Sequence, residues 1–158
     1  MKTRAQHAAF TLVEVTLALG VAAISLLAIF SLLPIGLQTN QRSIGQTASV
    51  DIFSAVAADL RATPATNPRG GEATSAQFGI SIPAAGSTGT TTLFFNSAGQ
   101  FATSQQSDSR YRVTVTFVSN GGGSKTATFA DLKSRWPAAA SIANAQGSAE
   151  MFAAFDRN

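Results

Sequence analysis

From Phe10 to Leu37 the chain is apolar almost without interruption, and Glu14 is its only formal charge. As an α-helix these 28 residues extend about 42 Å, more than the roughly 30 Å hydrocarbon core of a bilayer. The pattern then changes. Leu37, Ile44, Ala48, Ile52, Val56 and Leu60 recur at spacings of seven and four, which is an amphipathic stripe. Gln38, Asn40, Gln41, Arg42, Gln46 and Asp59 fall on the opposite face. Pro34 and Gly36 sit near the junction, where a helix kinks or loosens, and Pro64 forbids continuation. The spacing predicts one long, kinked helix from about Phe10 to about Ala62. Its first half suits lipid, and its second half suits the wall of a soluble head.

Beyond the helix the hydrophobic period drops to two. Residues 63–75 hold two prolines and a Gly-Gly and read as a loop. Phe78, Ile80 and Ile82 alternate as far as Pro83. Thr90 to Phe95 is β-branched and aromatic, and Asn96-Ser97-Ala98-Gly99 breaks it before Phe101, which reads as a hairpin. From Arg110 to Val118, Tyr111, Val113, Val115 and Phe117 share one side while Arg112, Thr114 and Thr116 share the other, the mark of a half-buried antiparallel strand. Asn120 to Ser124 turns the backbone into Lys125–Phe129. A further alternation runs through Ala130, Leu132, Ser134 and Trp136 to Pro137, with Lys133 and Arg135 on its solvated side. Residues 138–147 suit a surface loop or a short helical turn. Ser148 to Phe155 suits a last strand with Met151 and Phe155 inward, although its composition also suits a helix. The fold class is therefore α+β, a long kinked N-terminal helix packed on a small antiparallel β-sheet head.

Size and charge narrow the function. The chain has 158 residues, enough for one membrane segment and one small domain. A head of about 95 residues buries roughly 60–65% of its unfolded surface, so it needs the second half of the helix as part of its core. Eleven phenylalanines, nine of them after residue 50, are assigned to that core and not to a ligand groove. The formal charge is +3, yet Lys2 and Arg4 stand before the apolar run, and from Phe10 onward nine Lys/Arg face eight Asp/Glu. The basic residues form no stripe, so no nucleic-acid partner is expected.

Catalytic chemistry finds no support. There is no cysteine, and His7 is the one histidine, so the usual base–nucleophile pairs are missing. The aspartates are spread singly, without a calcium-loop pattern. Gly121-Gly122-Gly123-Ser124-Lys125-Thr126 is not a phosphate loop, because that motif needs Gly directly before the Lys and again five residues earlier, where Ser124 and Ser119 stand. No enzymatic activity, metal or cofactor is expected.

Glu14 is the residue that calls for explanation. A carboxylate at membrane depth costs about 2.5–3.5 kcal/mol on insertion scales. A cut between Ala9 and Phe10 would create an α-amine four residues away. Between staggered copies, the Glu14 of one subunit would neutralise the amine of the next, so that assembly satisfies the charge.

The basic leader with Lys2 and Arg4, the small residue Ala9, and Phe10-Thr11-Leu12-Val13-Glu14 opening an apolar helix resemble the class III signal of type IV pilins and type II secretion pseudopilins. The family usually carries Gly where this protein has Ala9. The resemblance implies a leader at 1–9, a transmembrane and assembly helix at 10–37, its amphipathic continuation at 38–62, and a periplasmic head at 63–158. It further implies cleavage before Phe10 by a prepilin peptidase, N-methylation of Phe10, and a role for Glu14 in assembly. The implied partners are other pilin or pseudopilin subunits and an inner-membrane assembly platform, and a minor subunit is the better match. Lys2 and Arg4 hold the N-terminus in the cytoplasm. The competing reading is an uncleaved signal anchor on a monomeric periplasmic binding protein. On the sequence alone a plain anchor has no use for Glu14, which makes that residue the discriminating one.

Overall fold

A computed structural model of the protein describes residues 10–64, 72–84, 87–118 and 127–155. Helix α1 runs from Leu12 to Ala62 and is followed by seven strands. These are β1 (Ala73–Thr74), β2 (Ser81–Ile82), β3 (Gly89–Asn96), β4 (Phe101–Ala102), β5 (Ser109–Val118), β6 (Thr128–Trp136) and β7 (Gly147–Phe155). A 3₁₀ turn at Ile142–Asn144 lies between β6 and β7. Residues up to Gln41 form one unit and residues from Arg42 a second.

In the first unit α1 continues without a break through Pro34 and Gly36. It stops where expected. Thr63 Oγ1 donates to the Asp59 carbonyl at 2.8 Å, and Pro64 follows with no N–H to offer.

The second unit is a five-stranded antiparallel sheet in the order β4-β3-β5-β6-β7, with β1 and β2 as a separate two-stranded pair. Strict alternation along β5 buries Tyr111, Val113, Val115 and Phe117. Across the register Ala130, Leu132 and Trp136 of β6, and Ala153 and Phe155 of β7, continue the same inner face. Ile52, Phe53, Val56, Ala57 and Leu60 of α1 belong to the same core cluster. Each large aliphatic or aromatic side chain buried in this way is worth about 1.5–3 kcal/mol. Burial of that face makes residues 147–155 a strand, which settles the helix-or-strand ambiguity of the last segment.

The buried face of the helix keeps Ile52, Val56 and Leu60 of the predicted stripe and widens to one side of it. Leu37 and Ile44 are 57% and 55% exposed, while Gly45, Ser49, Phe53 and Ala57 face inward. Counting only large apolar residues missed the reason. The indole of Trp136 lies against Gly45 of α1 and Gly147 of β7, and a Cβ at Gly45 would fall 2.5 Å from its Cε2 and Nε1. Ser49 and Ser134, both fully buried, share a hydrogen bond of 2.9 Å. Tyr111 meets Trp136 edge-on at 6.0 Å between ring centroids. The contact therefore needs small residues on the helix, and the hydrophobic count did not register them.

Asp59 also departs from expectation. It is not on a solvated face: only 8% of it is exposed, and its two oxygens each accept a backbone N–H at 3.0 Å, from Gln77 and Phe78. The turn it holds is closed by Ile80 N donating to Ser75 Oγ at 3.0 Å, with Gly79 at φ 65°. Consequently Phe78 sits in a turn, although Phe78, Ile80 and Ile82 are all buried as their alternation implied. The end of the expected 63–75 loop is β1, and 65–71 lie outside the described residues.

The Asn96–Gly99 hairpin is as expected. Asn96 Oδ1 accepts the backbone N–H of Ala98 and of Gln100 at 3.0 Å, and Gly99 takes φ 77°. The Asn120–Ser124 turn lies outside the described residues. Not all the phenylalanines are core. Phe53, Phe78, Phe95, Phe117 and Phe155 are, whereas Phe129 and Phe152 stack at 5.7 Å on the sheet's outer face and Phe152 is 62% exposed.

Two substitutions measure these contacts. Gly45→Ala should destabilise the protein by about 1–2 kcal/mol, because overpacking against the indole outweighs the roughly 0.5–1 kcal/mol that Ala contributes in a helix. Asp59→Ala, which leaves the buried N–H of Phe78 and the partly buried N–H of Gln77 without an acceptor, should cost about 1–3 kcal/mol. Urea denaturation followed by tryptophan fluorescence reads both as a lower midpoint.

Candidate functional site

Thr11 is the residue before the first helical position, and Glu14 is the third residue of α1. That spacing is a capping box, in which a hydroxyl and a carboxylate satisfy each other's orphan backbone donors. The geometry is complete. Thr11 N donates to Glu14 Oε2 at 2.9 Å, Thr11 Oγ1 donates to the same oxygen at 2.9 Å, and Glu14 N donates to Thr11 Oγ1 at 3.3 Å. The first helical bond, Val15 N to Thr11 O, is 3.2 Å. The helix macrodipole also favours a negative charge at this end. All hydrogen bonds to the carboxylate from described residues go to Oε2, which leaves Oε1 open to a further donor.

The Thr-x-x-Glu signal before an apolar run is legible in the sequence, and it gives Glu14 a local role beside the expected one in assembly. A plain anchor does have a use for it, so Glu14 by itself no longer discriminates. Phe10, the proposed new N-terminus, is 84% exposed, and Ala9 lies outside the described residues.

Behind the capping box, α1 is the one helix among the described residues long and apolar enough to cross a membrane, and its most apolar window is wholly uncovered. A signal sequence shares that length and composition, whereas the core helix of a soluble protein is mostly buried. The polar side chains of this stretch are satisfied within the helix. Thr16 Oγ1 donates to Val13 O at 3.0 Å, Ser25 Oγ to Val21 O at 2.8 Å, Ser31 Oγ to Ala28 O at 2.8 Å, and Thr39 Oγ1 to Ile35 O at 2.9 Å. At Pro34 the backbone has no N–H to donate. A Cβ added at Gly20 or Gly36 would meet nothing within 4 Å, so neither glycine is explained by packing within a single subunit. Such a surface is suited to lipid or to other helices. Among the described residues there is no cluster of His, Cys, Asp or Glu able to hold a metal.

Compared with protein-family models, curated proteins and solved structures, the sequence and fold match none.

The capping box can be tested apart from any assembly. Thr11→Ala in detergent micelles should weaken the helix start by about 0.5–2 kcal/mol, read as faster amide exchange at Glu14 and Val15 with no change beyond the second turn.

Proposed function

We propose that the protein is a pilin-like structural subunit, a minor pilin or pseudopilin, of a type IV pilus or type II secretion-like filament. It is held in the inner membrane by α1, with its N-terminus cytoplasmic and its head periplasmic. A prepilin peptidase cuts between Ala9 and Phe10, Phe10 is N-methylated, and an assembly platform draws the subunit into the filament. Leaving lipid is unfavourable for so many apolar residues unless neighbouring helices bury them again. The observation that carries this reading is the joining of an uncovered apolar helix, headed by Phe10 and Glu14, to a small α+β head.

The capping box refines the role of Glu14. While the subunit is stored in the membrane, Thr11 satisfies Oε2. In the filament the amine of the next subunit's Phe10 meets the open Oε1, and the pair sets axial register. The carboxylate thus serves the helix first and the neighbour second.

The second reading is a monomeric membrane-anchored periplasmic binding protein with an uncleaved signal anchor. The capping box favours it to the extent that it explains Glu14 without a partner.

Glu14→Gln separates the two uses, because Gln at this position retains a capping box but loses the charge. Membrane insertion and helix-start protection should stay as in the parent, while incorporation into filaments falls at least about tenfold, as for the loss of a charge-assisted contact. Unchanged incorporation would reject the role given to the charge. Intact mass decides on processing. Loss of residues 1–9 with one methyl group added supports the filament subunit, and a full N-terminus supports the anchor.

A further inference from the structure

The outer face of the five-stranded sheet carries a polar site unconnected with the helix start. Alternation along β5 and β6 places Arg112, Thr114, Lys133 and Arg135 on the face opposite the core. Arg112 and Arg135 are register partners. Side chains directly opposed on antiparallel strands stand about 4.5–5.5 Å apart at Cβ, and like charges there repel each other. Something must favour keeping them together.

Lys133, one step along the same face, is paired with two carboxylates. Its Nζ lies 2.9 Å from Asp131 Oδ2 and 3.3 Å from Glu150 Oε1. Those carboxylates, Asp131 foremost, raise its pKa above the ordinary lysine value. The two arginines have no such neighbours. Among the described residues neither forms an ion pair, and the Nε of each is buried with no hydrogen-bond partner, as is Oδ1 of Asp131 on the same face. Buried donors left unsatisfied are few in native structures, and each needs a reason. Arg112 is nonetheless fixed in place. Its Nη2 donates to Gln105 Oε1 at 2.7 Å, and its Cζ lies 5.3 Å from the centre of the Phe94 ring.

Beside Arg135 is a groove of about 680 Å³ lined in part by Thr114, Lys133, Arg135, Ser148, Glu150 and, from the 3₁₀ turn, Ile142. Its charges identify the ligand. Of the lining residues, Lys133 and Arg135 against Glu150 leave a single net positive charge, which complements a carboxylate better than a doubly charged phosphate. A guanidinium matches the two oxygens of a carboxylate in a planar fork. Thr114 and Ser148 supply hydroxyls, and Ile142, 84% exposed, offers an apolar contact next to the charge. A charge, hydroxyls and one apolar contact in an open groove suit an extended peptide.

We propose that this groove binds a carboxylate carried on an extended peptide segment, with Arg135 as the fork and Arg112 as a second cation beside it. The carboxylate is either an Asp or Glu side chain or the free C-terminus of the segment, and the groove chemistry is the same for both.

The full-length protein in detergent micelles can be titrated into fluorescein-labelled short peptides, with binding read by anisotropy. One peptide is Ala-rich with a central Asp and an amidated end. A second has Asn in place of the Asp, and a third has Asn and a free C-terminus. Either carboxylate-bearing peptide should bind at least about tenfold tighter than the amidated Asn peptide, and the arm that does so identifies the source. Arg135→Gln should abolish that preference, and Arg135→Lys, which retains charge but not the fork, should keep part of it. If Arg135→Gln fails to fold, Arg135→Lys alone decides. Equal binding of all three peptides, full preference in Arg135→Lys, or tighter binding of a phosphoserine peptide would overturn the assignment. None of these readouts depends on processing or filament assembly, so the groove and the filament role fail separately.

Discussion

A sheet with one apolar face cannot remain uncovered in water, and the last turns of α1 are what cover this one. Everything in the head follows from that pairing. The inner side chains of β3, β5, β6 and β7 meet Ile52, Phe53, Val56 and Leu60, and their burial supplies the driving force. The position of the helix is set by the largest object in the interface, the Trp136 indole. That ring needs Gly45 on one element and Gly147 on another, so two absent side chains determine how closely helix and strands approach. The Ser49–Ser134 hydrogen bond closes the same contact without leaving a buried hydroxyl unpaired.

In the proposed filament, one carboxylate, that of Glu14, would serve two scales of structure. Locally it completes the N-terminal turn with Thr11, a need that any helix start has. At the scale of an assembly, an acid at membrane depth invites a cation from elsewhere. The two uses are compatible because the local bonds converge on Oε2. The same economy is visible at Asp59, where one carboxylate accepts two N–H groups and ties the turn before β2 to the helix.

Much of the fold was legible because period and punctuation agree. The two-residue alternation of Arg110–Val118 became β5 with every expected inward residue buried, and Thr63-Pro64 ended the helix where its chemistry requires. Errors arose where size or polarity misled. Gly45 and Ser49 do not count as hydrophobic, so the stripe was drawn through Ile44 and Leu37 instead. Asp59 was assigned to solvent by its charge, since its backbone partners lie 18 and 19 residues away and local pattern does not reach them. In the candidate site, the Thr11–Glu14 box is present in the letters, but a capping carboxylate and one that awaits a distant cation look the same there. The Arg112–Arg135 pairing was not visible at all, because it exists only in the β5–β6 register.

The hydroxyls of the apolar half of α1 have a wider consequence. Thr16, Ser25 and Ser31 each donate to a carbonyl of their own helix, so between Thr16 and Leu37 a neighbouring helix would meet no free side-chain proton. Close approach is governed there by shape alone, and the bare surfaces at Gly20 and Gly36 are where it can occur. Along such a shaft the charged tip is the one polar contact that one helix could offer another.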